Sequence, residues 1–241
     1  MLFYSLSVFS ITMFGLSLAK ELSTTTCKRN LADYSVCLKH SLEEVWPLFL
    51  TGIPEFEFPS LDPLLYEHGN AAFNSGEINA NIFLLNTSGF GLSKAQFFDV
   101  RTHFLNDVFR LEIDGFVPEL VLKGSVKLNG TLSVFRVASE GFFNVTAYDV
   151  RGTWNIIGHV VNDTWNVEHF RTLPLIKKFK VHFDTVKGNK EINDLVTAFV
   201  NEFWPSLIRV MLPPMSQAWD PWLTGIINKF FSKVSFSKLF P

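Results

Sequence analysis

The sequence predicts an α+β fold in which a highly curved antiparallel sheet wraps one long C-terminal helix. Three observations predict it. Apolar residues recur at helical spacing before Gly52, alternate with period two from Glu77 to Thr185, and return to helical spacing after Asn189. No helical stretch interrupts the middle region, so its strands pair as an antiparallel meander. A single sheet of that length cannot leave its inner face bare, and the simplest cover is the C-terminal helix.

The chain opens on a candidate signal peptide, Met1–Ala19. Phe9, Ile11, Met13, Phe14, Leu16 and Leu18 form its apolar stretch, and Ser17-Leu18-Ala19 offers small residues where a signal peptidase reads, so cleavage is expected before Lys20. Its first four residues carry no Lys or Arg, which leaves an uncleaved anchor as the alternative. No later segment holds an uninterrupted apolar run long enough to span a bilayer, so stable membrane insertion is not expected. Residues 20–241 read as one domain without a Pro/Gly/Ser linker or a clear internal repeat.

Cys27 and Cys37 follow the leader and are the only two cysteines. In an exported chain such a pair closes a small loop, worth about 3 kcal/mol through the unfolded state. The alternatives are a free buried pair, or a metal site for which only His40 lies near. Leu31, Val36, Leu38, Leu42, Val45, Trp46 and Phe49 then place a helix over Lys28–Leu50, closing near Thr51-Gly52 with Ile53-Pro54 as its stop. Phe56–Leu64 is punctuated by Pro59 and Pro63 and reads as an edge or connector.

The strands come next. Turn signals at Asn86–Gly91, Asp114-Gly115, Asn129-Gly130, Arg151-Gly152, Asn162-Asp163 and Lys187-Gly188-Asn189 divide them. Four sequons, at Asn86, Asn129, Asn144 and Asn162, support export and must face water if glycosylated. Asn144 outward puts Phe143 and Val145 inward. The same parity turns Ile82, Leu84, Phe98 and Val100 inward, then Trp154 and Ile156, then Phe179 and Val181. Beyond Asn189, read as the cap, Ile192, Leu195, Phe199, Phe203 and Leu207 form one stripe, and Pro213-Pro214 is expected to kink or break the helix. A curved sheet around one helix rarely packs solid, and a gap lined by Phe and Ile stays dry and accepts apolar ligands. The ligand-lining set is therefore expected among these inward residues and Leu195, Phe199 and Phe203.

Composition narrows the function. A net charge of −2 over 241 residues removes the main electrostatic argument for nucleic acid. The 26 phenylalanines serve packing or an apolar cavity, because phenylalanine has no polar handle. No Gly-x-Ser-x-Gly elbow or phosphate-binding glycine loop is present, and no two of the six histidines sit at metal-ligand spacing. Asp62 stands before a proline, the usual place of a turn former. No catalytic residue, metal or cofactor is expected.

Several short segments in order carry a resemblance. Cys27, Cys37, Gly52-Ile53-Pro54, Leu61-Asp62-Pro63-Leu64, Asn86 leading to Gly89, Gly91-Leu92, Phe199-Val200-Asn201-Glu202-Phe203-Trp204 with Pro213-Pro214, and the Leu239-Phe240-Pro241 end are similar to the arthropod takeout and haemolymph juvenile-hormone-binding family. The likeness covers essentially the whole mature chain, with a departure at Gly124-Ser125, where relatives often continue Gly-Tyr. The resemblance implies a secreted, elongated, tubular super-roll with an internal tunnel for a hydrophobic molecule: a sesquiterpenoid hormone, a fatty acid or a quinone-like lipid. It also implies one N-terminal disulfide, which maps onto Cys27–Cys37. Two functions follow as expectations. The first is a monomeric carrier in haemolymph or another extracellular fluid. The second is a lipid-transfer module of the same fold that docks on a receptor or membrane.

Overall fold

A computed structural model describes residues 25–76, 78–132, 134–187 and 190–241. The predicted leader Met1–Ala19 and the cap Asn189 lie outside the described residues. The fold is a curled seven-stranded antiparallel sheet with a long C-terminal helix, as the periodicities predict.

Its spine is one ribbon. Strand β4 (Val108–Leu132) pairs along its length with β5 (Phe135–Val161). Twenty-five residues at the rise of a strand make a contour of about 80 Å. The other strands flank the two halves of this ribbon. At one end β3 (Gln96–Leu105) pairs with the start of β4, and β6 (Thr164–Thr172) with the end of β5. At the other end β2 (Ile78–Phe90) pairs with the end of β4, β1 (Leu64–Ser75) with β2, and β7 (Lys178–Lys187) with the start of β5.

The two ends meet at Gly115 and Gly152, which face each other across the ribbon. Asp114-Gly115 and Arg151-Gly152 are thus not turns, as the sequence suggested, but the middle of two long strands. Asn129-Gly130 likewise lies within β4. Glycine pairs in a strand interior mark a bend rather than a stop. Among the described residues, tight reversals occur at Asn106-Asp107 and Asn162-Asp163, all four residues having positive φ, and Asn and Asp accept that conformation best among residues with a Cβ.

Helix α1 (Tyr34–Thr51) begins later than expected, because Lys28–Asp33 forms turns with Leu31 N–H on the Lys28 carbonyl at 3.1 Å. The Cys27–Cys37 disulfide ties that segment to the first turn of α1. Gly52 ends the helix with φ 85°, where an added Cβ would also meet Phe58 and Ser60 backbone at about 3 Å. Asp62 accepts from Ser93 N–H at 2.8 Å and from Gly91 N–H at 3.2 Å. Burial pushes its carboxyl up, but these bonds outweigh burial and hold it below the usual carboxylate range. Its role is that of a structural tie.

Helix α2 (Lys190–Phe231) runs unbroken through Pro205, Pro213, Pro214 and Pro221. Pro213 and Pro214 are exposed, so water can take the carbonyls that prolines leave without a donor. Contrary to expectation, Asn193–Phe231 meets the length and composition of a membrane span. Here its polar side chains instead clasp strand edges. Asn228 Oδ1 accepts from Val167 N–H at 2.9 Å and Nδ2 donates to the Val167 carbonyl at 2.7 Å. Asn201 does the same to Val181 of β7, both bonds at 2.8 Å. Asp220 accepts from Phe170 N–H at 2.6 Å and from His169 Nδ1 at 2.8 Å. The helix thereby satisfies backbone groups on the free edges of β6 and β7.

A short helix α3 (Phe236–Leu239) closes the packed end. Arg29 N–H donates to the Pro241 carbonyl at 3.1 Å and its guanidinium to the Phe240 carbonyl at 2.6 Å.

Candidate functional site

The two ends of the molecule are packed differently. The end built from α1, β3, β6, the last turns of α2 and α3 is a dense aromatic core. Trp165 stacks edge-on against Phe231 at 4.5 Å and Phe109 at 4.8 Å, and Trp46 meets Phe97 at 5.0 Å and Trp154 at 5.7 Å. One small cavity of about 120 Å³ remains there, walled by apolar residues including Leu38, Val100, Ile113, Phe230 and Phe240, with Thr25 and Ser41 as its hydroxyls. It falls below the several hundred Å³ of ordinary ligand pockets.

The other end is open. On the inner face of β2 and β5, Ile82, Leu84 and Val145 are only half-buried, as is Phe199 on α2. None of the four belongs to either densely packed cluster of the molecule. Phe143 and Val181 are buried beside them, again outside both clusters. Helix and sheet are held together here at the β7 edge through Asn201, by Trp204 stacked on Phe179 at 5.9 Å, and by Trp222 edge-on against Tyr66 of β1 at 4.8 Å. An apolar lining that its own protein leaves partly uncovered can cover an apolar molecule instead.

A second concavity, of about 630 Å³, lies where β5 and β7 meet α2. Its lining is of another kind: Asn144, Thr146, Lys178, Lys180 and His182, with Phe179, Val181, Asn201 and Trp204. The five polar strand residues share the outward parity, while Phe179 and Val181 are inward, so this groove takes in both faces at the β7 edge, where α2 closes it.

The inward residues of the sequence reading divide accordingly. Val100 lines the small cavity. Trp154 and Ile156 sit in or against the aromatic core. Ile82, Leu84, Phe143, Val145, Val181 and Phe199 face the open end, and Phe179 packs against a small cluster of Val117, Ala147 and Val150. Phe98 does not join them. It is 53% exposed, because a bulge between Phe97 and Asp99 shifts the register and sends Phe97 inward instead. Leu195 and Phe203 are 69% and 51% exposed, so they form no sealed stripe against the sheet. All four sequon asparagines, Asn86, Asn129, Asn144 and Asn162, are exposed.

Trp204, Asn201 and Asp220 carried no site signal in the sequence. Asn201 and Asp220 are polar residues within an apolar helix, and that interruption is the mark that distinguishes them. Among the described residues no group of three His, Cys, Asp or Glu is arranged to hold a metal ion. Asp220 is engaged with the Phe170 N–H of β6 as well as with His169, as above.

A family model described as haemolymph juvenile hormone binding protein matches residues 6–241. Among solved structures, Epiphyas postvittana Takeout 1 superposes with a TM-score of 0.73 at 17% identity, over 90% of this chain and 99% of that one, a likeness of fold. Lipopolysaccharide binding protein aligns over 79% of this chain and 38% of its own, at 12% identity and a TM-score of 0.33, which is too slight to argue from. No curated protein sequence matches this chain.

Proposed function

The chain belongs to the haemolymph juvenile hormone binding protein family, and from that premise we propose that it is a secreted carrier holding one small hydrophobic molecule between the inner face of its sheet and α2. The family is one of binding proteins for hydrophobic ligands. The observation that carries the proposal is the uneven packing: Ile82, Leu84, Val145 and Phe199 are inward, apolar and only half-buried, outside both packed clusters. A molecule placed against them removes apolar surface from water on both sides, at about 25 cal/mol per Å². A terpenoid-sized or acyl-chain ligand reaches micromolar affinity that way without an ion pair.

Secretion is supported by the candidate leader Met1–Ala19, by a disulfide pinning the start of the fold, and by four exposed sequon asparagines. No catalytic step is proposed.

Extraction of the native protein with organic solvent, followed by mass spectrometry, tests the reading. One apolar compound near one equivalent per chain is expected, and the emptied protein should bind a fluorescent fatty acid saturably. An extract without such a compound, together with no saturable probe binding by the folded protein, overturns it.

A further inference from the structure

We propose that the groove where β5 and β7 meet α2 is the seat of an N-linked glycan attached to Asn144. The proposal rests on the secretory reading above, since only an exported chain meets the transferase.

Three observations carry it. First, Asn144 and Thr146, the two residues that define one sequon, both line the groove, while Val145 between them points to the opposite face. Asn86, Asn129 and Asn162 lie outside this lining. Second, the register sets Asn144 opposite His182 and Thr146 opposite Lys180 on that same face. A sugar leaving Asn144 therefore meets hydrogen-bond donors at once. Third, the far wall is Trp204, half-buried, with its ring stacked on Phe179 at 5.9 Å. A pyranose has an apolar face of C–H groups and a rim of hydroxyls, so an aromatic wall facing cationic and amide donors suits it on both counts. The volume of about 630 Å³ lies within the range that holds a drug-sized molecule, hence the first sugars of a glycan core.

The covalent step balances with a lipid-diphosphate-linked oligosaccharide as donor. Asn144 Nδ2 forms a bond to the anomeric carbon, the bond from that carbon to the diphosphate oxygen breaks, the lipid diphosphate leaves with the electron pair, and Nδ2 gives up one proton.

The full-length protein secreted from cultured eukaryotic cells is the test material. Glycopeptide mass spectrometry should find Asn144 occupied. Oxidative footprinting should then find Trp204 protected, with its oxidation rising severalfold in Thr146→Ala, which removes the sequon but keeps Asn144. Thr146→Ser, which restores a sequon, should restore both the glycan and the protection. Enzymatic removal of the glycan from the folded wild type should expose Trp204 as Thr146→Ala does. Asn144 found bare while another sequon is occupied overturns this proposal and leaves the secretory reading standing. Occupancy at Asn144 with Trp204 oxidation unchanged by Thr146→Ala also overturns it, because the glycan then points into solvent. No glycan at any of the four sites of the secreted protein overturns this proposal and leaves the secretory reading standing; a chain that never reaches the medium overturns that reading itself.

Discussion

Asn201 and Asn228 make the same two-bond clasp, each pairing its amide with the N–H and the carbonyl of one strand residue, Val181 and Val167. Along a helix they stand roughly 40 Å apart. One helix thereby holds β6 at one end of the molecule and β7 at the other.

Replacing either clasp by alanine leaves a strand-edge N–H and carbonyl without protein partners, which costs about 1–3 kcal/mol. Asn228→Ala is expected to lower global stability in denaturant unfolding. Asn201→Ala should mainly speed hydrogen exchange at the Val181 amide, since the open end is less tightly packed. At that separation the two effects should add within about 0.5 kcal/mol. Strong non-additivity would show that α2 moves as one lever.

A charge on the inner face at the open end should remove ligand binding. Val145→Asp and Phe199→Asp each put an unpaired carboxylate where the proposed ligand lies, at a cost of several kcal/mol, or about 100-fold or more in affinity. Lys127→Asp on the outer face should bind a fluorescent fatty acid as the wild type does. Circular dichroism must first show that each variant is folded.

Acid should loosen the grip of α2 on β6. Burial pushes the Asp220 carboxyl up, but the Phe170 N–H, His169 and Thr224 outweigh burial and hold it below the usual carboxylate range. A carboxyl lowered on folding stabilises the fold above its unfolded value of about 4, and that contribution fades as the pH falls through the lower folded value. Asp220→Asn should therefore cost about 1–2 kcal/mol at neutral pH and nearly nothing at the acid end of the profile. Urea unfolding of both proteins across that range checks it; a constant gap at every pH would show that charge is irrelevant there.

Removing the disulfide should cost about 3 kcal/mol, since the bridge spans a sequence separation of 10. The Cys27→Ser, Cys37→Ser double variant is expected to melt roughly 6–12 °C lower. Thiol labelling of the unreduced wild type in denaturant should find no free cysteine.

Two glycines of the ribbon should respond oppositely to alanine. At Gly158 an added Cβ would lie 2.0 Å from the Asn166 carbonyl oxygen and 2.6 Å from Val167 Cα, both backbone atoms that cannot step aside. At Gly115 the nearest atom is 3.7 Å away, an ordinary contact. Gly158→Ala should cost about 3 kcal/mol or more, and Gly115→Ala should range from neutral to about 1 kcal/mol stabilising. Thermal melts of the two variants decide it.

The alternation of strands and the final helix were legible because period two and helical spacing are local. Asn144 set the face of its strand correctly, and Phe143, Val145 and Val181 followed it. Three things were hidden. Gly115 and Gly152 look like turn residues from either side, and only their pairing across the ribbon shows a bend. Strand β1 has small and polar residues on both faces, Gly69, Asn70 and Ala71 among them, so its place depends on pairing with β2 rather than on its own pattern. Phe98 follows the parity of its strand on paper, but a single bulged residue reverses it. Strand parity marked the proposed ligand surface as apolar but not as half-buried, because half-burial is a property of what lies opposite.

Order of synthesis follows from the position of α2. Every strand precedes it in the chain, and its clasps to Val167 and Val181 reach backwards. At ordinary elongation rates the residues beyond β7 take roughly 3–10 s to appear. Through that interval the apolar side of a nearly finished sheet has nothing against it. A nascent chain of this design needs a chaperone to stay apart from its neighbours until the helix arrives.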